Sequence, residues 1–116
     1  MSETDSEVVV QGESLSLDFV FELLASSRRR LVLYRLNEAR DGTAKLEDLA
    51  RYISVYENES SLESIQLALE HTHLPKLVAA GIVEFDPRSD TIRYWSHPSI
   101  EEWLEHANHI EHNQCC

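Results

Sequence analysis

The side chains best suited to chemistry in this sequence are a few cations in a strongly acidic chain. Asp and Glu total 21 and Lys and Arg total 10, which gives a formal net charge of −11. Arg28, Arg29 and Arg30 stand together at the start of a predicted helix, where a cation opposes the helix macrodipole. Arg28 and Arg29 are therefore candidate phosphate contacts. The alternative is that one of the three pairs with an acid such as Glu22.

A second set of candidates lies on the helix predicted from Ser61 to Ala80. Gln66 is suited to reading adenine, and Lys76, the one lysine or arginine of this helix, to reaching guanine or phosphate. Ser64 and His71 are the other polar side chains that could contact base edges. Glu63 and Glu70 lie on the same helix and would face phosphates unfavourably.

Two further arginines belong to a predicted hairpin that follows this helix. Arg88 is the only basic residue of its turn, and Arg93 lies on the returning strand. An arginine at such a position is suited to a minor groove or to a phosphate. The alternative is a solvated turn residue beside Asp86 and Asp90.

Histidines and a cysteine recur near the end of the chain, at His106, His109, His112 and Cys115. Imidazole and thiolate are good ligands for zinc or copper. On a helix, however, steps of three residues drift by about 60° each, so one helix cannot direct all four at a single ion. We therefore predict no metal and no cofactor, with a set completed across a dimer as the alternative.

Nothing in the sequence points to catalysis or to a membrane. It has no nucleophile elbow, no glycine-rich phosphate loop and no separated Cys and His pair, so we predict that the protein is not an enzyme. The only cysteines, Cys115 and Cys116, are adjacent, so they cannot cross-link distant parts of the fold. Because structural disulfides are rare in the cytoplasm, this predicts a cytoplasmic protein. No run approaches the ~20 apolar residues of a membrane span.

Apolar spacing predicts the elements that position these residues. Helices are expected after a Ser16 cap, from Arg28 to about Ala39, and around Leu46–Ile53. On the first of them, Leu17, Val20, Phe21 and Leu24 share one predicted buried face. The second should be the central helix of the core, because its apolar stripe is broad. A capping box of Ser60 and Glu63 would begin the helix that follows.

The apolar stripe of that helix changes sides at its middle. Leu62, Ile65, Leu69 and Thr72 share one face at 100° per residue, whereas Leu74, Leu77 and Val78 lie nearly opposite. Pro75 disfavours helical geometry at the residue before it. We therefore expect a kink or break near His73 to Pro75, with a continuous helix buried on two sides as the alternative.

A hairpin and a last helix complete the predicted order. Gly81 is placed to end a helix with a left-handed residue, and Ile82–Asp86 and Thr91–Trp95 are rich in strand-forming residues. Ser99 and Glu102 form a capping box for a C-terminal amphipathic helix. Its apolar stripe is a predicted dimer interface, since Trp is enriched at interfaces, and the alternative is that it covers its own core. The stripe consists of Ile100, Trp103, Leu104, Ala107 and Ile110.

The segment HLPKLVAAGIVEFD, His73 to Asp86, resembles the pattern H-L-x-x-L-x-x-A-G-[LIV]-V at the end of the recognition helix in winged-helix bacterial and archaeal repressors. Together with FELLASSRRRLVLYRL and LEDLARYIS, it is similar to a family of small haloarchaeal winged-helix proteins of mostly unassigned role. The resemblance covers Leu17 to Tyr94. It implies a mostly α (α+β) winged helix-turn-helix with a two-stranded β wing, binding double-stranded DNA as a transcription regulator.

The charge balance allows two functions on this scaffold. A net charge of −11 ordinarily opposes nucleic acid, but adaptation to molar salt, where the Debye length is about 3 Å, also explains an acidic, lysine-poor surface. A DNA-binding regulator is the first prediction. The alternative is a protein–protein interaction module that kept the fold and lost DNA, which the acidic helix and the apolar Leu67 favour. We expect an acidic, disordered leader over residues 1–14, one domain over 15–112 and a tail over 113–116.

Overall fold

The computed structural model describes residues 16–57 and 60–113; the predicted leader and the two cysteines lie outside them. Helices dominate these residues and one small antiparallel sheet accompanies them, so the predicted mostly α, α+β class is confirmed. The elements are α1 (Leu17–Leu24), α2 (Ser27–Glu38), β1 (Thr43–Lys45), α3 (Leu46–Tyr56), α4 (Leu62–Ala68), a π-helical turn (Leu69–His73), α5 (Leu74–Ala79), β2 (Val83–Asp86), β3 (Thr91–Tyr94) and α6 (Pro98–Asn113).

The sheet has three antiparallel strands in the order β1-β3-β2. The two hairpin strands were predicted, and each is one residue shorter than expected. Strand β1 was not predicted, because its three residues are too few for an alternating pattern. Its register pairs Thr43 with Arg93 and Lys45 with Thr91, so this segment lies beside the returning strand of the hairpin.

A π-helical turn replaces the kink or break expected near Pro75. The chain continues from α4 into α5, and the Leu74 N–H donates to the Leu69 carbonyl, five residues back. The wider turn inserts one residue into the helical register. Leu69 and Leu74 are consequently both buried, although they lie about 140° apart in a regular α-helix. The helix thus buries one continuous face instead of two.

Polar caps and glycine set the ends of the helices. Ser16 caps α1, where its Oγ accepts from the Phe19 N–H at 3.1 Å, as predicted. Ser61 caps α4 by accepting from the Ser64 N–H at 3.1 Å, so the predicted cap at Ser60 is wrong by one residue. Gly81 has a φ of +77°, and its own N–H bonds to the Val78 carbonyl. The predicted left-handed stop is therefore confirmed.

Helix α2 lies at the centre of the core, as its broad apolar stripe predicted. Its buried side chains belong to the core cluster, and its neighbours include α1, α3, α6 and the strands β1 and β3. Helix α6 begins at Pro98, one residue before the predicted cap Ser99, and it covers the core beside α1 and α2. None of the described helices is both long enough and apolar enough to cross a membrane.

Candidate nucleic-acid interface

The helix formed by α4, the π-helical turn and α5 presents a mixed polar and apolar face to solvent. Ser64, Leu67 and His71 recur at spacings of three and four and are all exposed, so they share one line on the surface. Leu67 is 57% exposed. Glu63 and Glu70 are also exposed and lie beside this line. The face therefore offers hydrogen-bonding groups and one large apolar side chain between two carboxylates.

The remaining predicted residues of this helix lie at its edges. Gln66 is half-buried. Lys76 is exposed, and its Nζ lies 3.3 Å from Oε2 of Glu22 on α1. The cation of the helix thus already has a carboxylate partner.

Arg29 is part of the core and is not available to a phosphate. It is 7% exposed, and its Nε and Nη2 each donate at 2.8 Å, to the carbonyls of Leu23 and Glu22 respectively. These carbonyls are at the C-terminal end of α1, where a helix leaves acceptors unsatisfied. The structure therefore assigns Arg29 to joining α1 and α2.

Arg28 joins the start of α2 to the end of α3 through an ion pair. Its Nη2 lies 2.7 Å from Oε1 of Glu57, and its Nε also donates to that carboxylate. Arg28 thereby holds the pKa of Glu57 below its usual range. Arg28, Lys76 and Arg93 thus each have a different local partner, namely Glu57, Glu22 and the Trp95 ring, respectively.

Most other described cations are also paired with acids. Arg88 at the hairpin turn is highly exposed and lies 3.7 Å from Asp86, as its solvated alternative supposed. The further pairs among the described residues are Arg30–Glu111, Arg35–Glu38, Arg51–Glu47 and Arg51–Asp48. Within residues 16–57 and 60–113, the cations outside any ion pair are Arg29, Arg40, Lys45 and Arg93.

Three of those unpaired cations belong to the sheet or lie at its edge. Arg93 is exposed on the central strand, and its guanidinium carbon lies 5.2 Å from the centroid of the Trp95 ring. Arg40, Arg93 and Trp95 line a groove of about 470 Å³. Lys45 lies two residue pairs further along β1 than the pair of Thr43 and Arg93, and its Nζ donates to the Ser89 carbonyl at 2.9 Å. Sequence reasoning missed Arg40 and Lys45, because only the register of β1 brings them to this surface.

A second groove joins the end of the helix to the outer face of the hairpin. It measures about 580 Å³ and is lined by Val78 on α5 and by Phe85 and Arg93 on the sheet, among others. Glu84 and Asp86 also line it. The two grooves meet at Arg93, which lines both of them, and each groove carries acidic as well as basic side chains.

His73, half-buried beside Arg29, connects the π-helical turn to the start of α2. Arg29 Nη1 lies 3.4 Å from Nδ1 of His73. Burial lowers the pKa of His73, and the charges of Arg29 and Arg28 lower it further. The unfolded chain therefore takes up this proton more readily than the folded one.

The lowered pKa of His73 predicts that the free energy of unfolding decreases as the pH falls below about 6.5, the pKa of an unperturbed histidine. The loss begins there because only the unfolded state gains the proton until the lower folded-state pKa is reached. His73→Gln should flatten the dependence of the free energy of unfolding on pH between about 5 and 6.5, measured by urea denaturation. His71→Gln is the control at an exposed position. An unchanged slope in His73→Gln would refute the assignment.

Metal-binding groups and the predicted dimer residues are distributed on α6. No cluster of three or more His, Cys, Asp or Glu suited to a metal ion occurs in the part of the chain that the structure describes.

Ile100 and Leu104 are buried in the chain's own core, which corrects their assignment to a dimer interface. Trp103 and Ala107 are half-buried and Ile110 is exposed. Of the predicted stripe, these three retain accessible surface.

Comparison with known proteins gives one family match. The model of a family described as a domain of unknown function, DUF7344, matches residues 21–93. This range runs from within α1 to within β3 and includes the helix and the second groove, whereas Trp95 of the first groove lies just beyond it. Searches of curated proteins and of solved structures found no match.

Proposed function

The chain belongs to the DUF7344 family, and we propose that it is a winged helix-turn-helix regulator that binds double-stranded DNA. In this proposal α3 and α4 form the helix-turn-helix, the helix from Leu62 to Ala79 enters the major groove, and the hairpin of β2 and β3 is the wing. The protein acts in the cytoplasm of a salt-adapted archaeon.

The observation that carries this proposal is the exposed helix beside the hairpin. The helices α2, α3 and α4–α5 followed by the hairpin of β2 and β3 match the order that the winged-helix resemblance implies, and β1 adds a third strand beside β3. Among the residues that the structure describes, Ser64, Leu67 and His71 form an exposed face. A single exposed helix next to a hairpin is a shape that fits a major groove and the adjacent backbone.

The local environment of each side chain suggests its role on DNA. Ser64, Gln66 and His71 carry donors and acceptors suited to base edges. Arg93, together with Arg40 and Lys45, is suited to phosphates, because none of these three is in an ion pair within the described residues. Arg88 is held only by an exposed contact with Asp86, which molar salt screens. Arg28 and Lys76 can contact a phosphate only if they break their ion pairs with Glu57 and Glu22, respectively.

The sheet cations predict a measurable change in the salt dependence of binding. Each phosphate contact contributes about 0.9 to the slope of log affinity against log salt concentration. The triple variant Arg40→Ala, Lys45→Ala, Arg93→Ala should therefore reduce this slope by up to about 3. The measurement is fluorescence anisotropy with a random-sequence duplex, between about 0.2 and 3 M KCl.

A matched control separates phosphate contact from loss of net charge. Arg35→Ala with Arg51→Ala removes two exposed cations that are paired with acids. This pair of substitutions should leave the slope nearly unchanged. A triple variant that binds with the wild-type slope would exclude the sheet as the phosphate-binding surface.

The second candidate is a protein–protein interaction module on the same scaffold. Large apolar side chains are exposed around the helix-turn-helix, namely Val55, Tyr56, Leu62 and Leu67. With Glu63 and Glu70 beside Leu67, this surface suits a partner with apolar and basic side chains. Leu67→Lys distinguishes the two functions, because an added cation strengthens DNA binding and weakens binding of such a partner.

A further inference from the structure

An apolar patch lies on the side of the molecule formed by α1 and α6. We define this α1–α6 patch as Leu17, Phe21, Trp103 and Ile110. Leu17 is 51% exposed, and Phe21 and Ile110 are each 47% exposed. The Phe21 and Trp103 rings meet edge to face with centroids 5.2 Å apart, so the two helices contribute to one surface.

The patch is separate from the side chains that hold α6 on its own core. Ile100 and Leu104 are buried and point inward. Trp103 and Ile110 are seven residues apart, so they share a second line along α6, beside the line of the buried residues. Of the four residues predicted to share one face of α1, Val20 and Leu24 are buried, together with Leu23, whereas Leu17 and Phe21 are exposed. The apolar residues of both helices therefore exceed what residues 16–57 and 60–113 cover.

Charged and ionisable side chains flank the patch in a self-complementary order. Glu102 and Glu105 precede His106 and His109 along α6, and these four residues and Trp103 line one shallow groove. If two α6 helices cross antiparallel, the carboxylates of each face the imidazoles of the other. An isologous two-fold interface requires this self-complementarity.

We propose that a second copy of this chain covers the α1–α6 patch, with the two α6 helices antiparallel across a two-fold axis. Trp103 and Phe21 form the apolar centre, and the Glu and His side chains form the rim. This interface does not depend on DNA binding. It also differs from an interface along the whole apolar stripe of α6, because Ile100 and Leu104 remain in the core.

The size of the patch determines the expected strength of the dimer. A helix of 16 residues is about 24 Å long, and two adjacent helices are about 20 Å wide. The area available on each chain is on the order of 500 Å², at the low end for specific interfaces. We therefore expect a concentration-dependent dimer. Molar KCl should favour it by screening repulsion between chains of net charge −11.

The test is the mass of the full chain by sedimentation equilibrium in 2 M KCl up to about 1 mM. The wild type should approach twice the 13.4 kDa of one chain, and Phe21→Glu with Ile110→Glu should stay at that single mass. Val55→Glu is the control, because Val55 is 72% exposed on α3 and outside the patch. A monomeric wild type would overturn the proposal, as would a dimer that survives the double variant.

Charge exchange tests the antiparallel arrangement and does not depend on apolar substitutions. One variant carries Glu102→Lys and Glu105→Lys, and the other carries His106→Glu and His109→Glu. Each alone should dimerise at least tenfold more weakly than the wild type, since like charges then meet or the acid–imidazole contacts are lost. An equimolar mixture should recover the dimer, because the introduced lysines face the introduced carboxylates. A mixture that stays monomeric would overturn the antiparallel pairing.

Discussion

Replacing either Leu69 or Leu74 by alanine is expected to lower the free energy of unfolding by about 2–5 kcal/mol. Both side chains are almost completely buried, and each truncation leaves a cavity in the core. In a regular α-helix they would lie about 140° apart, so both could be buried only if the helix were covered on two sides. The π-helical turn is therefore the feature that makes both substitutions costly.

Leu67→Ala is the matched control for these two variants. Leu67 lies on the same helix but is mostly exposed, so the same truncation should change stability by less than about 0.5 kcal/mol. Urea denaturation in molar KCl measures all three. If only one of Leu69→Ala and Leu74→Ala is destabilising, the helix does not have the described register.

Arg29→Ala is expected to cost about 2–4 kcal/mol of stability. The substitution removes two charge-assisted hydrogen bonds, to the carbonyls of Leu23 and Glu22. The Glu22 carbonyl keeps the Ala25 N–H as a donor. The substitution also removes the partner of His73 Nδ1. The effect should appear as a lower urea midpoint, measured at pH 7.5, where His73 is neutral.

Arg28→Ala is the control for this prediction, because it removes the neighbouring arginine of the same helix turn. Its partly exposed ion pair with Glu57 should contribute about 1 kcal/mol or less. An Arg29→Ala variant as stable as the wild type but defective on DNA would restore Arg29 as a phosphate contact. It would also contradict the packing of α1 on α2 described above.

Local chemistry made much of the fold predictable. Ser16 and Gly81 act on their immediate neighbours, so their sequence context was sufficient to place them. The broad apolar stripe of α2 likewise identified the central helix. Strand β1 could not be predicted, because Thr43–Lys45 forms a strand only through its pairing with β3.

In the helix from Leu62 to Ala79, a regular period of 3.6 residues is not sufficient to predict which side chains are buried. The change of apolar face between Leu69 and Leu74 was visible in the sequence, and Pro75 marked its position. Whether the chain would break or widen there depends on the core that both leucines must enter. One hydrogen bond, from the Leu74 N–H to the Leu69 carbonyl, distinguishes the π-helical turn from a break.

The candidate site was less predictable than the fold, because the availability of a cation depends on distant acids. Arg28 is paired with Glu57 and Lys76 with Glu22, at separations of 29 and 54 residues along the chain. In a chain with twice as many acids as bases, most arginines find such a partner. Arg40 and Lys45 carried no signal of their own. They became candidates only when the sheet placed them near Arg93.

The measurement that tests the proposed function most directly is selection from a random pool of duplex DNA by the purified protein in molar KCl. We expect enrichment of a short motif, and Gln66→Ala with His71→Ala should lose that motif while retaining the fold by circular dichroism. The unselected pool serves as the reference for enrichment. No enrichment at any KCl concentration from about 0.2 to 3 M, a range over which phosphate contacts change affinity steeply, would contradict DNA binding. It would leave the exposed face around Leu67 as a protein-binding surface.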